Sequence, residues 1–169
     1  GAAFFKKKDV AIIGGGDAAC KAAWLLAEIT IKVYFVYRGE KEMCEAILGK
    51  RMRERKNIEF LFNATPFEIR GKQVVSELVV VKPGKIPKQE KINVHGVFIE
   101  IGGLPVSDIT KMLGVKIDKD EYVIVDEEMR TNVKGVFAAG DIVKSKLKQV
   151  IVAASQGALA AKSAREYLG

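Results

Sequence analysis

The chain has 169 residues, 49% hydrophobic and 29% charged, with a formal net charge of +7. That length suits one ordinary domain, or one complete domain of about 100 residues with part of another. No apolar run nears the roughly 18 to 20 residues that cross a bilayer, and no leader pattern opens the chain, so a cytoplasmic location without a membrane partner is the default. The lysines are interspersed with acids, as in Lys41 to Arg55 and Lys116 to Glu128. They form no continuous basic stripe, which argues against nucleic acid.

The chain opens on Gly1 rather than Met and enters its first strand almost at once, as expected of a piece of a longer protein. Val10 to Ile13 is a short, wholly apolar strand that runs into Gly14, Gly15 and Gly16, and an Ala-rich helix follows directly over Asp17 to Ile29. Gly14 permits a tight turn, Gly16 lets an anion approach the main chain without meeting a Cβ, and Ala19 keeps helix and strand close. Free N–H groups and the positive end of the helix dipole then face a pyrophosphate. Taken alone, such a string is also compatible with an ordinary turn. The next strand, Ile31 to Tyr37, makes the unit βαβ, with a run suited to a buried parallel strand. Arg38 follows at its end, where an arginine suits a ribose 2′-phosphate and a solvated loop cation is the alternative.

Residues 40 to 56 read as an amphipathic helix with Glu and Lys spaced for surface pairs, followed by a third parallel strand, Ile58 to Phe62. The pattern then changes. Pro66 to Arg70, Gln73 to Val81 and Glu90 to Val94 are short segments broken by Gly71-Lys72 and Pro83-Gly84, with Val74, Leu78 and Val80 on one face, the pattern of an antiparallel meander. Gly96 to Ile101 returns as a strand. The expected fold class is therefore α/β, a Rossmann-like nucleotide-binding domain with an inserted β-meander from Asp9 to about Gly103.

Beyond Pro105 the expected elements are a short helix at Ile109 to Leu113, short strands at Tyr122 to Val125 and Gly135 to Ala138, and a long helix from Gln149 to Tyr167. Sixty-odd residues of this kind cannot close a sheet core alone and are expected to complete a sheet formed with other strands. Gly140 and Asp141 end the second of these strands shortly before the long helix. A carboxylate there can accept hydrogen bonds from ligand hydroxyls, and the helix amino end can stabilise negative charge on a reduced flavin ring. An Asp that merely caps a turn is the alternative.

Cys20 and Cys44 form neither a C-x-x-C pair nor a metal-ligand cluster and read as small, buried or half-buried helix residues. His95, the only histidine, has no nucleophile motif around it and reads as structural. No catalytic residue and no metal ligand is assigned.

The segments around 4–19, 36–43, 96–105, 129–142 and 148–161 together resemble the low-molecular-weight, flavin-dependent thioredoxin reductases, class II of the pyridine nucleotide-disulfide oxidoreductases. The resemblance runs through essentially the whole chain. It implies a homodimeric enzyme in which NADPH reduces FAD, FAD reduces a C-x-x-C disulfide, and the dithiol reduces a thioredoxin-like protein. It also implies a nicotinamide-dinucleotide domain over residues 1–104 and the C-terminal portion of an FAD-binding domain over 105–169, the rest of that domain and the C-x-x-C being absent from this sequence. Two hinges are implied, near Gly103-Leu104-Pro105 and near Phe4-Phe5. By the same resemblance Gly14, Gly15, Gly16, Asp17, Ala18 and Ala19 match the pyrophosphate turn, Tyr37 and Arg38 the neighbours of the 2′-phosphate, and Ile101 and Gly102 the strand end near the nicotinamide. Gly140 and Asp141 match the flavin ribityl site, and Lys148, Gln149 and Val150 the helix start beside the isoalloxazine ring.

Two of the three phosphate-binding cations of that pattern are missing, since Gly39 and Met43 stand where arginines are usual, so NADH or another donor such as a deazaflavin or ferredoxin is an alternative to NADPH. Lys41 could compensate, though a flexible point charge reads phosphate less selectively than a guanidinium fork. A non-catalytic nucleotide-binding module, or a related flavoprotein serving a peroxidase system or oxygen, are the other readings. The first is disfavoured because residues 106–169 retain flavin-site motifs that a nucleotide sensor does not need.

Overall fold

The computed structural model describes residues 1–84, 86–103 and 108–169. The chain divides into two compact units, Gly1–Gly102 and Gly103–Gly169. Leu104 and Pro105, where a domain boundary and a hinge were expected, lie outside the described residues.

In the first unit, β1 (Asp9–Ile13), α1 (Asp17–Leu26), β2 (Lys32–Val36), α2 (Ala46–Arg53) and β3 (Ile58–Leu61) alternate; β4 (Thr65–Gly71), β5 (Val75–Lys82) and β6 (Lys88–Asn93) then form a meander before β7 (Gly96–Ile99). The parallel sheet has the order β3-β2-β1-β7, and the meander is a separate antiparallel sheet, β4-β5-β6. In β1, Val10 and Ile12 point into one cluster with Ala19, Cys20, Ala23, Phe35 and Met52. Ala11 and Ile13 point the other way, onto Leu78, Val80, Ile92 and Val94 of the meander side. Helices thus cover one face of the sheet and the meander the other, which explains why β1 is apolar at successive positions.

Several boundaries differ from the sequence expectation. α1 stops at Leu26 rather than Ile29 because the amides of Ile29 and Thr30 both turn back onto the Leu26 carbonyl (3.1 and 3.0 Å), which also accepts the Thr30 hydroxyl at 2.8 Å. The helix expected over 40–56 exists only as α2. Residues 40–45 instead form a strap along the glycine turn: the Met43 N–H donates to Gly15 O at 2.6 Å and the Glu45 N–H to Asp17 Oδ1 at 3.0 Å. Amides held that way cannot serve a helix, so Cys44 is a strap residue and not a helical one. Val74 lies outside β5 and is 76% exposed, whereas Leu78 and Val80 are buried as expected.

The second unit contains α3 (Asp108–Met112), a 3-10 turn at Gly140–Ile142 and α4 (Val150–Leu168). The strands expected at Tyr122 to Val125 and Gly135 to Ala138 do not form; single bridges at Ile117 and Val123, Val123 and Val143, and Arg130 and Phe137 stand in their place. Side chains have taken the backbone's partners. Asp118 Oδ1 accepts the amides of Asp120 and Tyr122, Asp126 Oδ1 those of Glu128 and Arg130, and Thr131 Oγ1 that of Val133. Such local bonds compete directly with a ladder. Of the 19 residues of α4 only Ser163 is buried, donating its hydroxyl to Glu128 O at 2.7 Å. Among the described residues, no helix is long and apolar enough to cross a membrane.

Candidate functional site: a glycine-lined cradle at the end of the parallel sheet

The carboxyl ends of β1, β2 and β7 open onto a cavity of about 910 Å3 whose wall includes Gly14, Gly15, Gly16, Asp17 and Ala18. The three glycines do different things. Gly14 has φ +145°, and a Cβ there would run into the Glu100 carbonyl and stand 3.0 Å from the Ala19 Cβ. A Cβ on Gly15 would strike the ring of Tyr37. At Gly16 a Cβ would meet nothing within 4 Å. Gly16 is also the N-cap of α1, and no side chain caps that end. The first amides of α1 therefore have no acceptor in the helix and face open space, with the positive end of the dipole behind them. This fits a diphosphate.

Tyr37 is half-buried and lies across Gly15 and Gly39, and Arg38 beside it is exposed. Both line the cavity, as do Ile101 and Gly102 at its far rim. Ala19 does not: it is fully buried beneath the turn, where its small side chain lets α1 approach β1. Among the described residues Arg38 is the only cation of the wall, against the carboxylates of Asp17, Glu68 and Glu100. The Arg70 guanidinium, 2.6 Å away, holds the Glu68 carboxyl below its ordinary range.

Sequence reasoning did not place the meander in this site. Thr65, Pro66, Phe67, Glu68 and Ile69 of β4 nevertheless form one wall. In β4, Phe67 and Ile69 stay exposed at 62% and 43%, which only the structure supplies.

In the second unit Gly140 has φ +80° and donates its N–H to Gln156 Oε1 at 2.9 Å, while Asp141 is exposed in the 3-10 turn. Gln149 is the N-cap of α4, again without a side-chain cap, and Val150 is 86% exposed. Lys148 is engaged elsewhere: its Nζ donates to the Tyr122 hydroxyl at 2.6 Å and sits 4.0 Å from the centre of that ring. A second cavity of about 360 Å3, between 130–137 and the end of α4, touches none of these residues. Among the described residues no group of three or more His, Cys, Asp and Glu is placed to hold a metal.

Residues 2–157 match the family model described as pyridine nucleotide-disulphide oxidoreductase. The chain belongs to that family. It is 37% identical to the thioredoxin reductase of Listeria innocua over 169 residues, covering 98% of this chain and 52% of that protein. With the thioredoxin reductase of Aquifex aeolicus it shares 39% over 168 residues, 99% of this chain and 51% of the relative. Among solved structures, Lactococcus lactis thioredoxin reductase in its FR conformation superposes with a TM-score of 0.89 at 30% identity, covering 98% of this chain and 55% of that one. T. acidophilum thioredoxin reductase gives a TM-score of 0.88 at 33% identity, covering 98% of this chain and 54% of that one. The chain spans about half the length of the relatives it matches.

Proposed function

We propose that this chain is the coenzyme-binding unit and a flavin-adjacent portion of a thioredoxin reductase-like flavoenzyme, which passes an electron pair from a reduced nicotinamide dinucleotide through FAD to a thioredoxin-like protein disulfide. The observation that carries this reading is the uncapped amino end of α1 beside Gly16, open at the carboxyl edge of a parallel sheet. Bound FAD supplies the chemistry that links a two-electron donor to a disulfide.

The residues of this chain bind and orient. Amides at the start of α1 hold the diphosphate, Arg38 and Tyr37 flank the adenosine ribose, and Ile101 and Gly102 flank the nicotinamide. In the second unit, the exposed Asp141 would accept hydrogen bonds from the ribityl hydroxyls of a bound flavin. The amino end of α4 at Gln149 and Val150 would favour negative charge on a bound flavin, with Lys148, its Nζ held on Tyr122, just before that helix start. The sequence contains no C-x-x-C, so the dithiol that meets the acceptor, like the rest of the FAD domain, comes from outside these 169 residues. The parent enzyme is expected to be a cytoplasmic homodimer.

Calorimetric titration of the chain with NADH, NADPH and ADP-ribose tests the first half: saturable one-to-one binding, lost on Gly16→Asp, is expected. The second half is tested with the full-length protein, which should reduce a thioredoxin disulfide at the expense of a reduced nicotinamide. No binding of any of the three nucleotides would overturn the assignment.

A further inference from the structure

The two cysteines of the chain have no part in the function just described. Cys20, in α1, is fully buried, and its thiol donates to the Gly15 carbonyl at 3.9 Å. Cys44 is half-buried on the strap of residues 40–45. That strap is fastened at several points. Met43 pairs in parallel with Gly16 and gives its N–H to the same Gly15 carbonyl at 2.6 Å. The Glu45 N–H is held by Asp17, and the Glu42 carboxylate, 8% exposed, is gripped by Arg53 through both oxygens at 2.7 Å. These contacts bring Cys44 onto the cluster that contains Cys20, and the Cys20 thiol and the N–H of Met43, next to Cys44, converge on the one Gly15 carbonyl. Two residues on different elements are thus gathered around the Gly15 carbonyl of the glycine turn.

Resting on the coenzyme reading above, we propose that Cys20 and Cys44 form a reversible disulfide that couples thiol oxidation to the coenzyme-binding turn. The oxidant is of the hydroperoxide class. The Cys44 thiolate attacks a peroxide oxygen, the O–O bond breaks, and water leaves with one proton from solvent to give a sulfenic acid. The Cys20 sulfur then attacks the Cys44 sulfur; the S–S bond forms, the S–O bond breaks, and the departing hydroxide takes the Cys20 proton as a second water. Two thiols lose two electrons and two protons, and one hydrogen peroxide becomes two waters. A dithiol reverses the step. Cys20 is fully enclosed and Cys44 only half-buried, so Cys44 meets the peroxide first and Cys20 resolves; burial also pushes the Cys20 thiol up. Closing the S–S bond to about 2.05 Å draws the strap toward α1 and removes the thiol donor from Gly15 O. Met43, which lines the cavity, moves with it.

The test is to treat the reduced chain with hydrogen peroxide and follow thiol titre, intact mass and a non-reducing peptide map. Both thiols should disappear together with a mass loss of about 2 Da, a linked Cys20–Cys44 peptide should appear, and dithiothreitol should restore the starting state. Affinity for NADH should differ at least about threefold between the reduced and oxidised forms, and in Cys44→Ala peroxide should leave it unchanged. Persistence of the Cys20 thiol while Cys44 rises to sulfinic acid would overturn the disulfide, and a mapped disulfide without a change in affinity would overturn the coupling. If the reduced chain binds no nucleotide, the coenzyme reading and with it the coupling have failed, while the peptide map still decides for or against the disulfide.

Discussion

Gly14, Gly15 and Gly16 are adjacent, yet substitution by alanine should separate their roles. At Gly14 an added methyl meets the Glu100 carbonyl at a φ of +145°, so Gly14→Ala should lower unfolding free energy by at least about 2 kcal/mol, read from urea melts. At Gly16 the backbone is extended and the space empty, so Gly16→Ala should change stability by under about 1 kcal/mol. Its methyl would stand in the diphosphate's path, and dinucleotide affinity should fall about tenfold in a titration, a loss near 1.4 kcal/mol. Equal stability losses at both positions would show that the turn is packed alike throughout. Coenzyme choice is also decided at this scale. Arg38 is exposed and is the one cation of the cavity wall among the described residues, and an exposed contact contributes only about 1 kcal/mol. NADPH should therefore bind no more than about fivefold better than NADH. Met43 is 69% exposed, so an arginine fits there, and Met43→Arg should raise NADPH affinity about tenfold while leaving NADH within about twofold.

Elements in this chain are set by competition for backbone partners. The strap replaces the first turns of the expected helix because Gly15 and Asp17 accept its amides, and the short strands of the second unit give way to turns closed by Asp118, Asp126 and Thr131. The Asp118 carboxyl is held below the usual aspartate range, first by the Lys144 ammonium at 2.8 Å and then by the amides of Tyr122 and Asp120. A carboxylate lowered in the folded state stabilises above the ordinary value of about 3.9, and that contribution is lost as pH falls through the folded-state value. Wild type should therefore melt above Asp118→Asn at pH 7, and the gap should close as pH drops below about 4. A gap of the same size at pH 7 and at pH 2.5, measured by circular dichroism, would contradict this ion pair and its turn.

For the whole chain, the two units differ in how completely they bury themselves. The first closes a sheet between helices and meander. The second keeps Val150, Ile151, Leu159 and Leu168 exposed along α4 and buries little beyond Val115, Val123 and Val143. A surface of that kind cannot enclose a large ring system, since ligand sites bury most of their occupant. Purified alone, the chain should carry well under one flavin per molecule by visible absorbance, and show no thioredoxin reduction, yet still bind nucleotide. A stoichiometric yellow protein would show that these residues grip FAD unaided.

Features that depend on neighbours along the chain could be read from the residues alone. The βαβ unit was legible because Val10 to Ile13, the glycines and the Ala-rich helix each obey a local rule, and the meander because its turns carry Gly and Pro. Gln149 as the start of the long helix was legible for the same reason. Folding in three dimensions settled which acceptors the amides of Met43 and Glu45 would find, that Tyr37 would occupy the space over Gly15, that β4 would wall the cavity, and that Cys44 would pack on the cluster around Cys20. Those outcomes rest on contacts between residues far apart in sequence, where periodicity carries no information and the nearest available carbonyl or carboxylate wins.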